Sequence, residues 1–264
     1  MDKQGKRVSG DARIVTRLHV AASLASPTLE LDAARAHYLR NVLRLGPGDT
    51  VAVFNAAEGE FAARIATLGK RDAILALGDR LRPPAAEEGP WLCFAPIKRA
   101  RLDLLVEKAT ELGASRLLPV LTQRTNVERV NLERLAAIAT EAAEQTERLS
   151  VPEIAAPVTL RVLLASWPAD RTLVVCDETG GGTPIAAALR GRRDKLALLV
   201  GPEGGFAPEE IEWIAREGFV RRVGLGPRIL RADTAAIAAL AVLQAVAGDA
   251  NETPAPRRGA VTPP

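Results

Sequence analysis

Two loops carry the residue types best suited to chemistry. The first is Leu199-Val200-Gly201-Pro202-Glu203-Gly204-Gly205-Phe206, and the second is Leu225-Gly226-Pro227-Arg228-Ile229-Leu230-Arg231. Each follows a short apolar run and precedes a helical pattern. Glycine loops in that position commonly receive a phosphate, because bare backbone and a helix N-terminus suit an anion. Neither loop has Gly-x-Gly-x-x-Gly spacing followed by a distant acid, and neither has the Lys-Ser/Thr pair of a P-loop, so a dinucleotide or triphosphate is not indicated. What they offer is close backbone approach at Gly201, Gly204, Gly205 and Gly226, with rigidity from Pro202 and Pro227. Such a wall of amides and carbonyls suits a flat heteroaromatic ring. Arg228 and Arg231 bracket Ile229 and Leu230, which lets the arginines face a ligand while the aliphatic pair packs below. One Gly-Pro pair alone is also what a tight turn needs; two on consecutive strands, one followed by arginines, favour a site.

Stepping outward along the chain, strand and helix patterns alternate after residue 90: 91–97, 101–113, 116–122, 131–148, 172–177, 184–190, 195–201, 208–218, 221–226 and 234–248. Short, continuously apolar strands between helices predict an α/β domain with a mostly parallel sheet covered on both faces. In such sheets ligands bind beyond the carboxyl ends of strands, where both loops lie. The helix over 234–248 is apolar on nearly every face, as in a core or a subunit interface.

Before residue 80 the segments 49–55, 60–68 and 72–79 alternate and are rich in branched residues, predicting a small antiparallel sheet or barrel. A helix is expected over 36–45, with Arg40 and Arg44 together at i,i+4. The run "RLRPPAAEEGP" at 80–90 breaks both patterns and marks a boundary. The expected organisation is a loose extension over 1–13, a first domain over 14–82, a linker over 83–90, a second domain over 91–248, and a disordered tail over 249–264.

Composition removes several classes. The chain of 264 residues is 47% hydrophobic and 25% charged, without a signal-type apolar segment or a membrane span, so a soluble cytoplasmic protein is expected. Cys93 and Cys176 sit in apolar runs without metal-ligand spacing, so no metal site is expected. His19 and His37 are the only histidines, and no Gly-x-Ser-x-Gly elbow occurs, which disfavours hydrolytic triads. Of 35 basic residues 29 are arginine. That bias suits bidentate phosphate contact, although a GC-rich genome yields the same bias.

Taken with these loops, "HYLRNVLRLGPGD", "KATELGASRLLPVLTQRTN" and "EAAEQTERLSVPEI" make the chain similar over most of 17–248 to SPOUT-class RNA methyltransferases, and most closely to the RsmE family. That family methylates N3 of uridine 1498 in 16S ribosomal RNA of the small subunit. The resemblance implies an N-terminal PUA-like β-barrel that binds RNA, a SPOUT-type α/β domain whose chain forms a deep trefoil knot, S-adenosyl-L-methionine as cofactor, and a homodimer. No metal and no membrane partner are implied. Carried onto this chain, the cofactor contacts are Leu199, Val200, Gly201, Pro202, Glu203, Gly204 and Gly205 in the first loop, then Leu225, Gly226, Pro227, Ile229, Leu230 and Thr234, with 176–179 as a further wall. One departure is visible. The family commonly has Arg-Thr-Glu-Thr-Ala where this chain has Arg231-Ala232-Asp233-Thr234-Ala235. The acid is one methylene shorter, a hydroxyl is lost, and Asp233 or Thr234 is left as a helix N-cap.

Uracil N3 is protonated at neutral pH, and its anion spreads charge onto O2 and O4. A fixed guanidinium beside it would lower its pKa and stabilise the transition state. Arg231 is the candidate for that role, and Asp233 and Glu203 are the acidic candidates for a general base. Arg17, Arg40, Arg44, Lys98, Arg99, Arg101, Arg124 and Arg148 are the candidate RNA contacts. Two other readings stay open: a SPOUT enzyme acting on another nucleotide or on a ribose 2'-oxygen, and a non-catalytic RNA-binding ribosome-assembly protein.

Overall fold

The computed structural model describes residues 14–85, 87–126, 129–192 and 194–252. The ends expected to be loose and disordered lie outside the described residues, except for 249–252. Contacts divide the described residues into two units, one running up to Glu87 and including Ala143–Ser150, the other made of the described residues from Glu88 to Ala142 and from Val151 onward. Among the described residues no helix is long and apolar enough to cross a membrane.

The first unit is a five-stranded sheet in the order β1-β3-β4-β5-β2. Its strands are β1 (Ile14–His19), β2 (Thr28–Leu31), β3 (Thr50–Asn55), β4 (Gly59–Leu68) and β5 (Ala73–Arg82). β1 joins β3 in parallel and the remaining pairs are antiparallel. Alternate inward residues, among them Leu18, Val51, Val53, Ile65 and Leu75, form one core with Leu39. The helix expected over 36–45 is instead a five-residue α1 (Ala33–His37), capped by Asp32, running into a π turn at Tyr38–Val42. Arg44 then adopts φ 59°, and the Leu45 N–H reaches back to the Leu39 carbonyl at 2.9 Å. Arg44 is therefore beyond the helix, and the i,i+4 face expected for Arg40 and Arg44 is not formed.

The second unit holds a parallel sheet in the order β11-β13-β10-β12-β6-β7-β8, with β9 also pairing with β7. In chain order its elements are β6 (Trp91–Phe94), α2 (Arg99–Glu111), β7 (Arg116–Leu121), α3 (Leu132–Gln145), β8 (Glu153–Ile154), β9 (Val158–Thr159) and α4 (Leu160–Ala165). There follow β10 (Arg171–Cys176), β11 (Thr183–Pro184), α5 (Ile185–Leu189), β12 (Lys195–Val200), α6 (Pro208–Arg216), β13 (Val220–Gly224) and α7 (Ala232–Ala247). The continuous apolar runs of β10 and β12 follow from covering on both faces. Val174, Leu196, Leu198 and Val200 face a core with α2, α3, α5 and α7, whereas Leu173, Val175, Ala197 and Leu199 face a second core with α4 and α6.

The segment 143–150 belongs by contacts to the first unit, although its sequence falls inside the second. Arg17 donates to the carbonyls of Ala143, Glu144 and Arg148, and Arg82 donates to that of Glu147. Two arginines thus tie four carbonyls of this segment to β1 and β5.

Candidate cofactor pocket

β12 and β13 are consecutive in sequence but not neighbours in the sheet, because β10 pairs with both of them in parallel. Their carboxyl ends share one edge, and the loop after β10 becomes the middle wall between the two Gly-Pro loops. A cavity of about 610 Å³ opens there, lined by Cys176–Gly180 and Gly182, by Val200–Glu203 and Gly205, and by Gly224–Ala232 with Ala235. That volume lies within the range of about 300–1,000 Å³ usual for small-molecule sites.

Each wall is held by its own bonds. In the first loop Gly205 turns at φ 68°, and its N–H donates to the Pro202 carbonyl at 2.9 Å. The next N–H, of Phe206, donates to Glu178 Oε1 at 3.1 Å, tying this loop to the end of β10. A Cβ on Gly205 would strike that carboxylate. The positive φ favours glycine here, and a Cβ would in addition displace the Glu178 carboxylate. Gly201 lies under the Phe206 ring, whose edge a Cβ would approach to 3.0 Å.

In the middle wall the buried Asp177 carboxylate is fully answered. Its Oδ1 accepts from the Thr179 N–H at 2.9 Å and the Thr179 hydroxyl at 2.7 Å. Its Oδ2 accepts from Arg222 Nε at 3.0 Å and Nη2 at 2.5 Å. Burial raises the Asp177 pKa, but the Thr179 bonds and then Arg222 outweigh it, and the net shift is downward. The neighbouring Cys176 thiol is pushed up to about 12 by burial, with Glu178 acting in the same direction. It stays protonated at neutral pH and does not serve as a nucleophile.

The third wall runs from Gly226, at φ 98°, to the start of α7. Leu225 and Leu230 pack against the core, while Ile229 stands 93% exposed. Arg231 is exposed and occupies the N-cap of α7 in an extended conformation, without a capping side chain. The N-cap is thus Arg231 rather than Asp233 or Thr234, and Asp233 falls in the first helical turn. There its Oδ2 lies 3.5 Å from Arg101 Nη1, and its Oδ1 is buried without a hydrogen-bond partner among the described residues.

The cavity thus brings together most of the residues the two loops suggest, including Glu203 and Arg231. Leu199 is not among its lining residues: it is fully buried in the core behind β12. Gly204, Thr234 and Asp233 also lie outside the lining. The run Asp177-Glu178-Thr179-Gly180-Gly181-Gly182 supplies more of the middle wall than 176–179 alone. Its signal, three glycines after an apolar strand and two acids, is plain in the sequence.

The basic candidates divide by burial. Lys98, Arg99 and Arg124 are exposed in the second unit, and Arg40 and Arg44 are exposed in the first. Arg17 is different: its side chain is 10% exposed, pairs with Glu60 at 2.7 Å and lies 4.1 Å over the Phe54 ring. Arg148 is 8% exposed and pairs with Glu87 at 2.8 Å. Both guanidiniums are committed inside the first unit, and releasing Arg17 to a phosphate would break a pair whose carboxylate, Glu60, is buried. They pin parts of the first unit to one another.

Residues 87–244 match the family described as "RNA methyltransferase domain", and residues 31–77 match the "RNA methyltransferase PUA domain". The fold and the pocket are therefore those of an RNA methyltransferase carrying a PUA-like domain at its N-terminus. Among its relatives, "Ribosomal RNA small subunit methyltransferase E" of Rickettsia conorii is 32% identical over 243 residues, covering 89% of this chain and 98% of the relative. The protein of the same name from Synechocystis sp. is 34% identical over 238 residues, covering 87% and 77%. Among solved structures, a ribosomal RNA small subunit methyltransferase E from Neisseria gonorrhoeae bound to S-adenosyl methionine superposes with a TM-score of 0.79, at 27% identity over 89% of this chain and 99% of that one. A putative methyltransferase from Legionella pneumophila in complex with the same cofactor gives a TM-score of 0.78, also at 27% identity over 89% and 99%. The chain belongs to the ribosomal RNA small subunit methyltransferase E family.

Proposed function

We propose that this chain transfers a methyl group from S-adenosyl-L-methionine to N3 of uridine 1498 in 16S ribosomal RNA. The observation that carries the reading is the cavity between the loops after β10, β12 and β13, glycine-walled and rimmed by Arg228 and Arg231. The residues fit the cofactor: bare backbone at Gly201, Gly205 and Gly226 admits a flat ring edge-on, and Leu225 and Leu230 supply an apolar floor. The cofactor supplies a sulfonium-activated methyl group, so the protein's task is alignment and exclusion of water. Arg231, exposed at the mouth of the cavity and fixed at the start of α7, stabilises the anion that forms as uracil N3 loses its proton. Glu203 lines the cavity, which gives it rather than Asp233 access to that proton.

Lys98, Arg99 and Arg124, with Arg40 and Arg44 on the first unit, grip the RNA backbone. Two copies pair through α7, whose outward Ala241, Ala245 and Val246 leave an apolar stripe exposed. The chain between β10 and α7 crosses as a trefoil knot, and the protein works in the cytoplasm, where small subunits are built. The deciding experiment incubates the protein and S-adenosyl-L-methionine with small subunits from a strain lacking this gene, then maps the new mark by mass spectrometry. A methyl at N3 of uridine 1498 is expected. A methyl elsewhere replaces the acceptor, and absence of cofactor binding overturns the reading.

A further inference from the structure

The Glu210 carboxylate is 1% exposed and sits in the first turn of α6, three residues after the N-cap Ala207. Its Oε2 accepts from the Ala207 N–H at 2.9 Å, which is ordinary helix capping. Capping needs only one oxygen. The other, Oε1, accepts from the backbone N–H of Gln123 at 2.9 Å, a residue 87 positions away that follows β7. A buried carboxylate is costly unless its lone pairs are answered, and here two backbone groups from two different loops answer it.

The turn that Glu210 reaches is itself well formed. Thr122 and Thr125 close it, the Thr122 N–H donating to Thr125 Oγ1 at 3.0 Å and the Thr125 N–H donating to the Thr122 carbonyl at 3.1 Å. Gln123 Nε2 adds a bond to Glu209 Oε2 at 3.0 Å. Between them stands Arg124, exposed, with Nη1 donating to the Gly204 carbonyl at 2.7 Å. One Arg124 donor is thus fixed on the glycine loop, and a guanidinium has others to offer. β6 lies between β7 and β12 in the sheet, so this frame spans the end of an intervening strand.

We propose that Glu210 is a positioning residue that makes the Thr122–Thr125 turn and the glycine loop one hydrogen-bonded body, so that a ligand seated against Gly201–Gly205 fixes the place of the Arg124 guanidinium and its grip on an RNA phosphate. The inference rests on the methyltransferase reading, and it assigns Glu210 a task beyond capping α6. Replacing Glu210 by Gln puts an amide NH2 against one of the two N–H groups whichever way it turns, so one loop must let go.

The test is hydrogen–deuterium exchange on the full chain, with and without S-adenosyl-L-methionine, followed over 122–126 and 201–206, together with calorimetric titration of the cofactor. In the wild type the cofactor is expected to slow exchange in both segments. In Glu210→Gln one of the two bonds is lost whichever way the amide turns, so the protection that the cofactor gives 122–126 is expected to fall while 201–206 stays protected, and the cofactor is expected to bind about ten-fold more weakly. Wild-type protection confined to 201–206 overturns the proposal whether or not the variant folds. So does a Glu210→Gln protein with unchanged affinity and both segments protected, since Glu210 would then only cap. A wild type that binds no cofactor removes the methyltransferase reading, and this inference with it.

Discussion

Asp177 and Arg222 meet at the ends of adjacent parallel strands, and Arg222 directs both Nε and Nη2 at the same carboxylate oxygen. The pair braces the middle wall of the cavity, and its weight is open to measurement through pH. The folded-state pKa of Asp177 is depressed, so its contribution is fully present above about pH 4 and is lost as the pH falls through the depressed value. Asp177→Asn is expected to remove about 1–3 kcal/mol at neutral pH and to flatten the acid limb of the stability curve. Urea unfolding at a series of pH values reads both effects, and an unaltered acid limb would show that the pair carries no weight.

Gly205 and Gly226 both hold positive φ, but only Gly205 has a carboxylate where its Cβ would go. Each alanine substitution carries about 1–3 kcal/mol of backbone strain. Gly205→Ala must in addition push Glu178 off the Phe206 N–H. It is expected to weaken cofactor binding at least about ten-fold more than Gly226→Ala does. Equal losses in a calorimetric titration would contradict the clash.

Arg231→Ala separates binding from chemistry. The backbone of residue 231 caps α7 whatever its side chain, so cofactor affinity is expected to hold within about three-fold, while methyl transfer falls about 10²-fold or more, the scale for one preorganised donor. Single-turnover assays with saturating cofactor make the comparison. Wild-type turnover would remove Arg231 from the mechanism.

Cys93 and Cys176 are both buried, with thiols raised to about 12 by burial. Alkylation by iodoacetamide at pH 8, followed by mass spectrometry, is expected to leave both unmodified in the folded chain and to label both in denaturant. Rapid labelling of Cys176 in the folded chain would mean that its thiol is reached through the cavity that Cys176 lines.

The α/β alternation was legible because β10 and β12 are apolar on both faces, and the glycine loops were legible because few other functions demand such residues after a strand. Three things were hidden. β1 carries Arg17 in its middle, and β2 has only four residues, so neither shows a convincing alternation. α4 is six residues long, too short for periodicity to register. The insertion of β10 between β12 and β13 is a matter of strand order, which pairing decides and local pattern does not. Arg17 and Arg148 show the same limit for charge. Composition lists them with the exposed arginines, and only Glu60 and Glu87 reveal that they are committed.

The order in which the chain is made gives the sheet arrangement a further meaning. When synthesis has passed Val200, β10 can already pair with β12, but its other edge stays bare until 220–224 arrive. An unpaired edge invites the wrong strand, from this chain or another. β13 therefore quenches that hazard, and the segment from Gly224 to the start of α7 then closes the third side of the cavity. A chain that ends before Val220 owns neither a protected edge nor a complete binding site, and one that ends before Ala235 still lacks the latter, so ligand retention doubles as a report that synthesis has passed the start of α7.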